Sequence, residues 1–165
     1  MKLLYICTVL FSFLGCSLSG NNPSAIDDDT RIHFSFVDQE GNDLLNPDHP
    51  HAITEHNTDL YYLVKNEKQK VFEKNLDHPK HFHIWKSDET GFYYMTLFPN
   101  HNFTNNTSLT YIEFADSSTD TVKIEVEEEN IWVCTKVWFN QQLKWSIEDD
   151  GYRLLTITKN MTPKD

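Results

Sequence analysis

The sequence predicts an all-β chain folded as a β-sandwich. From Arg31 onward, apolar and polar residues alternate with a period of two in one run after another. Clusters rich in Asn, Asp, Gly and Ser break these runs at short intervals, as turns do. No convincing helical pattern appears. Nine or ten short strands between frequent turns suit two packed sheets. An immunoglobulin-like arrangement is the form expected, with strand order left open.

The first strand covers 32–36, where Ile32, Phe34 and Phe36 alternate with His33 and Ser35. The acidic turn 38–43 and Leu44-Leu45 follow, then a loop with two Pro and three His over 46–57. DLYYLVK at 59–65 is the second strand, and 66–69 turns the chain into a short strand at 70–73. Residues 81–86 and 92–98 pair around 87–91. Residues 109–114 and 121–126 flank the turn at 116–119. The strongest strand is 131–139, with Ile131, Val133, Val137 and Phe139 on one face and Trp132, Cys134 and Trp138 on the other. Apolar residues on both faces place it centrally in a sheet. Residues 143–145 and 154–158 complete the set.

The N-terminus follows other rules. Met1-Lys2 carries one positive charge, and residues 3–14 are apolar except for Thr8 and Ser12. That length fits a signal-peptide core of roughly 7–15 residues. It falls short of the roughly 20 needed to span a bilayer. Gly15-Cys16 at its end resembles the bacterial lipobox. The resemblance implies removal of 1–15 and diacylglycerol on the Cys16 thiol. Each buried methylene contributes about 0.8 kcal/mol, and stable anchoring takes two chains, which such a cysteine carries. The expected organisation is a signal peptide at 1–15, lipidated Cys16 and a flexible tether over 16–30, one sandwich domain at 31–160 and a short tail at 161–165.

Cys7 leaves with the signal and Cys16 takes lipid, so Cys134 has no disulfide partner and reads as a buried, inert thiol. A formal net charge of −11 argues against nucleic acid as a partner.

Several motifs resemble a group of small lipoproteins from Bacteroidota. They are the signal ending in Cys16, the turn Asp38-x-x-Gly41-Asn42-Asp43-Leu44-Leu45, and the strand pieces Tyr111–Phe114, Asp120–Lys123 and Lys136–Asn140. The resemblance implies a cell-envelope address at the outer membrane and transfers no activity, ligand or site residue.

Three constellations are candidates for chemistry. In a strand, His81 and His83 would share a face about 6–7 Å apart, a spacing that suits two imidazoles on Zn²⁺ or Cu²⁺. The plainer reading is a polar strand edge. Asp38, Glu40, Asn42 and Asp43 cluster oxygens around Gly41, as a partial calcium loop or as a plain β-turn. Tyr61, Tyr62, Trp85, Phe92, Tyr93, Tyr94 and Tyr111 offer rings for stacking sugars, or core packing. No G-x-S-x-G, phosphate loop or H-E-x-x-H occurs. The reading is therefore a non-enzymatic binding domain on a membrane anchor, with an envelope protein or a glycan as partner and no cofactor beyond the lipid. The alternative is a metal-binding protein or metal-dependent enzyme built on His81 and His83.

Overall fold

A computed structural model describes residues 29–128, 131–149 and 151–160. The expected signal peptide at 1–15, Cys16 and the 161–165 tail lie outside the described residues. Ten strands form: β1 (Ile32–Val37), β2 (Asp59–Val64), β3 (Glu67–Lys70), β4 (Phe82–Lys86), β5 (Tyr93–Leu97), β6 (Thr107–Glu113), β7 (Thr119–Glu128), β8 (Trp132–Phe139), β9 (Gln142–Ser146) and β10 (Leu154–Thr158). No helix occurs among the described residues.

The strands form two sheets, ordered β10-β1-β5-β4 and β3-β2-β6-β7-β8-β9. In immunoglobulin terms β1, β4 and β5 occupy the B, D and E positions, and β2, β3, β6 and β7 occupy C, C′, F and G. Strands β8 and β9 extend the larger sheet past the G position. Strand β10 lies beside β1 in the A position and runs parallel to it.

The core follows from the alternation. Ile32, Phe34 and Phe36 of β1 are fully buried, as are Met95 and Leu97 of β5 and Leu60, Ile112, Ile124 and Val137 from the other sheet. Phe36 meets Phe114 edge-on at 5.8 Å and Phe34 tilts against Phe139 at 5.8 Å, so rings from both sheets interlock.

Three local readings are corrected. The hairpin after β2 turns tightly at Lys65 and Asn66, whose φ values of 50° and 66° are those of a two-residue type I′ turn. The third strand therefore starts at Glu67, ahead of the expected 70–73. In β8 the register shifts: Val126 faces Cys134 while Glu125 faces Lys136. Thr135 is the extra residue of this bulge, and it brings Cys134 to the same buried side as Val137 and Phe139. Strand β8 lies one strand in from the β9 edge rather than at the centre, and Trp138 on its half-buried other side is covered by the Lys123 ammonium, 4.0 Å from the ring. Finally, Asp29 and Thr30, assigned to the tether by sequence, belong to the fold. Asp29 bridges Val133, its N–H donates to Trp132 O at 3.0 Å, and Thr30 is buried.

Candidate functional site

The register brings several chain ends together at one end of the sandwich. Ile32 opens β1 level with Leu97 at the close of β5, and Leu97 pairs with Phe82 at the opening of β4. Strand β10 starts here too, with Leu154 beside His33. The incoming segment 29–31, the 71–81 and 98–106 loops and the 147–153 loop all meet at this end. Between them lies a cleft with two lobes. The larger, about 730 Å³, is walled by Tyr62, the incoming segment and the loops around His81 and Phe98. The smaller, about 410 Å³, is walled by Trp145, Tyr152, Arg153 and their neighbours. Arg31 lines both, so the lobes adjoin at its side chain.

His81 anchors the larger lobe. It precedes β4 with φ 57°, a left-handed conformation uncommon outside glycine. That backbone lets its N–H donate to His78 O while its carbonyl accepts from Phe98 N, both at 2.9 Å. Tyr62 Oη donates to Phe98 O at 2.8 Å, so the contact of 2.8 Å between Tyr62 Oη and His81 Nδ1 takes its proton from the imidazole. His81 Nε2 lies 2.8 Å from Glu73 Oε1, within ion-pair range though off the hydrogen-bond line. Both ring nitrogens therefore face protein groups. Burial, with the Glu73 carboxylate nearby, raises the Tyr62 hydroxyl above its ordinary acidity range and keeps it a neutral donor.

The expected pairing of His81 and His83 on one strand face is not what forms. His81 sits outside β4 and turns into the cleft, while His83 lies within β4 opposite Thr96. The His83 ring stacks on His78, centroids 4.0 Å apart and 14° from parallel, with Phe98 close to both. Burial, then the neighbouring His78, pushes the His83 imidazole below its usual range, opposed by Glu55. Among the described residues, no group of three or more His, Cys, Asp or Glu is arranged to hold a metal ion.

The smaller lobe has its own histidine. Trp85 Nε1 donates to Thr96 Oγ1 at 3.0 Å, and that hydroxyl lies 3.0 Å from His33 Nδ1. His33 Nε2 lies 2.5 Å from Tyr152 Oη, and the two rings stack with centroids 4.6 Å apart. Burial first, then the charges of Arg31, His83 and Arg153, lowers the His33 pKa to about 4. The ring is neutral near neutral pH, with both nitrogens in use. Arg153 forms the floor. Its Nη1 donates to Arg31 O at 2.8 Å and approaches Asp29 Oδ1 at 3.2 Å, and its guanidinium carbon lies 4.5 Å from the Trp145 ring centre. Arg153 Nε and Trp145 Nε1 are both buried without an acceptor.

The other candidates disperse. Asp38 spends its oxygens on Glu40 N, Asn42 N and Asn42 Nδ2, at 2.7–2.8 Å, and Gly41 takes φ 86°. Both Asp43 oxygens accept main-chain N–H groups, from Leu45 and Tyr93. This is the β-turn. The aromatic set divides between faces. Tyr61 and Tyr111 sit under Lys68 on the larger sheet, Tyr62 walls the cleft, and Tyr93 packs on the core. Trp85 and Tyr94 come together on the smaller sheet, 5.3 Å apart. Cys134 is buried and its thiol is pushed up to about 11 by that burial.

Arg31, Glu73, Trp145, Tyr152 and Arg153 were not singled out by sequence. The available signal was faint: Arg31 and Arg153 each stand just before an apolar strand in an acidic chain. No helix among the described residues is long and apolar enough to cross a membrane. The chain matches no protein-family model, no curated protein and no solved structure.

Proposed function

We propose that this chain is a cell-envelope lipoprotein whose β-sandwich binds a partner and carries no catalysis of its own. Diacylglycerol on Cys16 holds it to the outer membrane, and an envelope protein or a glycan is what it engages. The site is the two-lobed cleft at the end where the chain enters the domain.

One observation carries the binding part. Two histidines that could move protons in this cleft are engaged by other groups of the protein. His81 stands between Tyr62 and Glu73, and His33 between Thr96 and Tyr152. A general base needs a nitrogen free to meet its substrate. Such locked side chains instead give a fixed recognition surface, which lowers the ordering cost of binding. The N-terminal pattern ending in Gly15-Cys16 supports the anchor.

Growth with a labelled fatty acid tests the anchor. Wild-type protein is expected to carry the label and Cys16→Ala to lack it. Label that persists in Cys16→Ala, or is absent from both, overturns the lipoprotein reading. Protease treatment of intact cells then separates a surface location, where the domain is cut, from a periplasmic one.

A further inference from the structure

We infer that the smaller lobe is a carbohydrate site, in which a neutral sugar ring packs on Tyr152 and its hydroxyls meet Arg31, Asp149, Trp145 and Arg153. This names the ligand class for the binding reading above and rests on it.

Tyr152 is the first reason. It is 68% exposed, which is unusual for an aromatic ring on a stable domain. It is also held: His33 stacks against it and its hydroxyl sits on His33 Nε2. A ring fixed on one side and open on the other is an amphipathic contact surface with little rotamer entropy left to lose. The apolar face of a sugar ring suits such a surface.

The polar groups supply the second reason. Two cations, Arg31 and Arg153, and two carboxylates, Asp29 and Asp149, line the same lobe. Their charges cancel, so an anion or a cation gains little there, and the net charge of −11 repels acidic polymers at long range. Among the described residues the Arg31 guanidinium has no carboxylate partner. Asp149 uses one oxygen on Ser146 N at 2.6 Å, which leaves the other to accept a hydroxyl.

The third reason lies under the floor. Arg153 is 8% exposed, yet its Nε has no acceptor, and neither has Trp145 Nε1. A buried N–H left unpaired is destabilising, because it has lost water and gained no acceptor. A wholly apolar ligand would leave both costs in place. A hydroxyl oxygen entering beneath Tyr152 would relieve them. Both nitrogens are closed to solvent, so the Arg153 and Trp145 side chains turn to present them as the oxygen enters, while Tyr152 stays on His33. A cavity of about 410 Å³ lies within the range of small-ligand sites.

The test uses the full-length lipoprotein in detergent micelles. The probes are maltohexaose, cellohexaose, mannohexaose and N-acetylchitohexaose, with hexagalacturonate and a neutral hexapeptide for comparison. Binding is read by tryptophan fluorescence and by saturation-transfer NMR. At least one neutral oligosaccharide is expected to bind saturably. Tyr152→Ala is expected to weaken it roughly tenfold or more, the effect of deleting an aromatic anchor. Tyr152→Phe keeps the ring and is expected to retain most of the binding, while Phe92→Ala, at an exposed ring that lines neither lobe, leaves it unchanged. A preserved melting temperature in Tyr152→Ala excludes misfolding as the cause. Saturable binding only of the charged sugar or the peptide, lost in Tyr152→Ala, overturns the ligand class and keeps the binding reading. Sugar binding lost in Phe92→Ala but not in Tyr152→Ala overturns the location. No saturable binding by any neutral oligosaccharide overturns the inference, whatever the lipid-labelling result.

Discussion

Arg153 reaches from the start of β10 to Asp29 at the entry of β1, placing Nη1 3.2 Å from Oδ1 and 3.3 Å from the Asp29 carbonyl oxygen. Nη2 also donates to Cys134 O at 3.3 Å, so one side chain ties the incoming segment, β8 and β10 together. Its burial against the 61% exposure of Asp29 makes the two partners unequal. Arg153→Met is expected to cost about 3 kcal/mol, because several main-chain oxygens lose their donor at once. Asp29→Asn is expected to cost less than about 1 kcal/mol, the range of an exposed ion pair. Urea unfolding of both variants checks the asymmetry, and equal losses would refute it.

Tyr62 and His81 fasten the 71–81 loop to the larger sheet. Tyr62→Phe removes the bond to Phe98 O and the acceptor for His81 Nδ1, an expected loss of about 1–3 kcal/mol. His81→Val is expected to cost more than His81→Asn. A β-branched residue is a poor fit at φ 57°, whereas Asn tolerates that region. Amide hydrogen exchange is expected to speed up over 73–81 in all three variants by more than in the β8 core, whose amides follow only the change in global stability.

Acid weakens the domain through its buried histidines. The His33 pKa lies near 4 in the fold, against 6.5 unfolded, and His83 is shifted the same way. Between those values the unfolded chain binds protons that the folded chain refuses. Stability therefore falls as pH drops through 6.5 toward 4, and is fully present above 6.5. Asp38 and Asp59 are held below the ordinary carboxylate range, so their contribution is lost only at still lower pH. Melting temperatures measured from pH 7.5 to 4.5 are expected to decline, and His33→Gln is expected to flatten that decline. An unchanged slope in the variant would count against His33 as the source.

Cys134 is expected to resist thiol reagents in the folded domain. Its burial and its pKa of about 11 keep thiolate scarce at pH 8. Maleimide labelling of the Cys7→Ala/Cys16→Ala protein, in which Cys134 is the one thiol, is expected to be slow in buffer and complete in urea. Rapid labelling without denaturant would contradict the packing of β8.

Ile32, Phe34 and Phe36 announced β1 because alternation writes a buried face directly into sequence. The same rule failed at Cys134, where one inserted residue moved a side chain to the opposite face. A bulge leaves no mark in periodicity. The cleft was harder still to read. Its parts come from β1, β2, β9 and three loops, far apart in sequence and joined only by sheet order. His81 drew attention as a histidine. Its role came from a left-handed backbone that no spacing rule anticipates. Tyr152 had no polar or apolar pattern around it to distinguish it from other loop tyrosines.

The parallel pairing of β1 with β10 also decides how the domain carries load. The chain enters β1 at one end of the sandwich and leaves β10 at the other, with five residue pairs in register between them. Tension between the segment entering β1 and the C-terminal end of β10 therefore slides the two strands past each other and strains all five pairs together. A hairpin pulled open from its free end would instead yield one pair at a time. Resistance to forced unfolding is governed by the unfolding rate more than by equilibrium stability. A domain pulled by its two ends is thus loaded in shear along the whole β1–β10 seam.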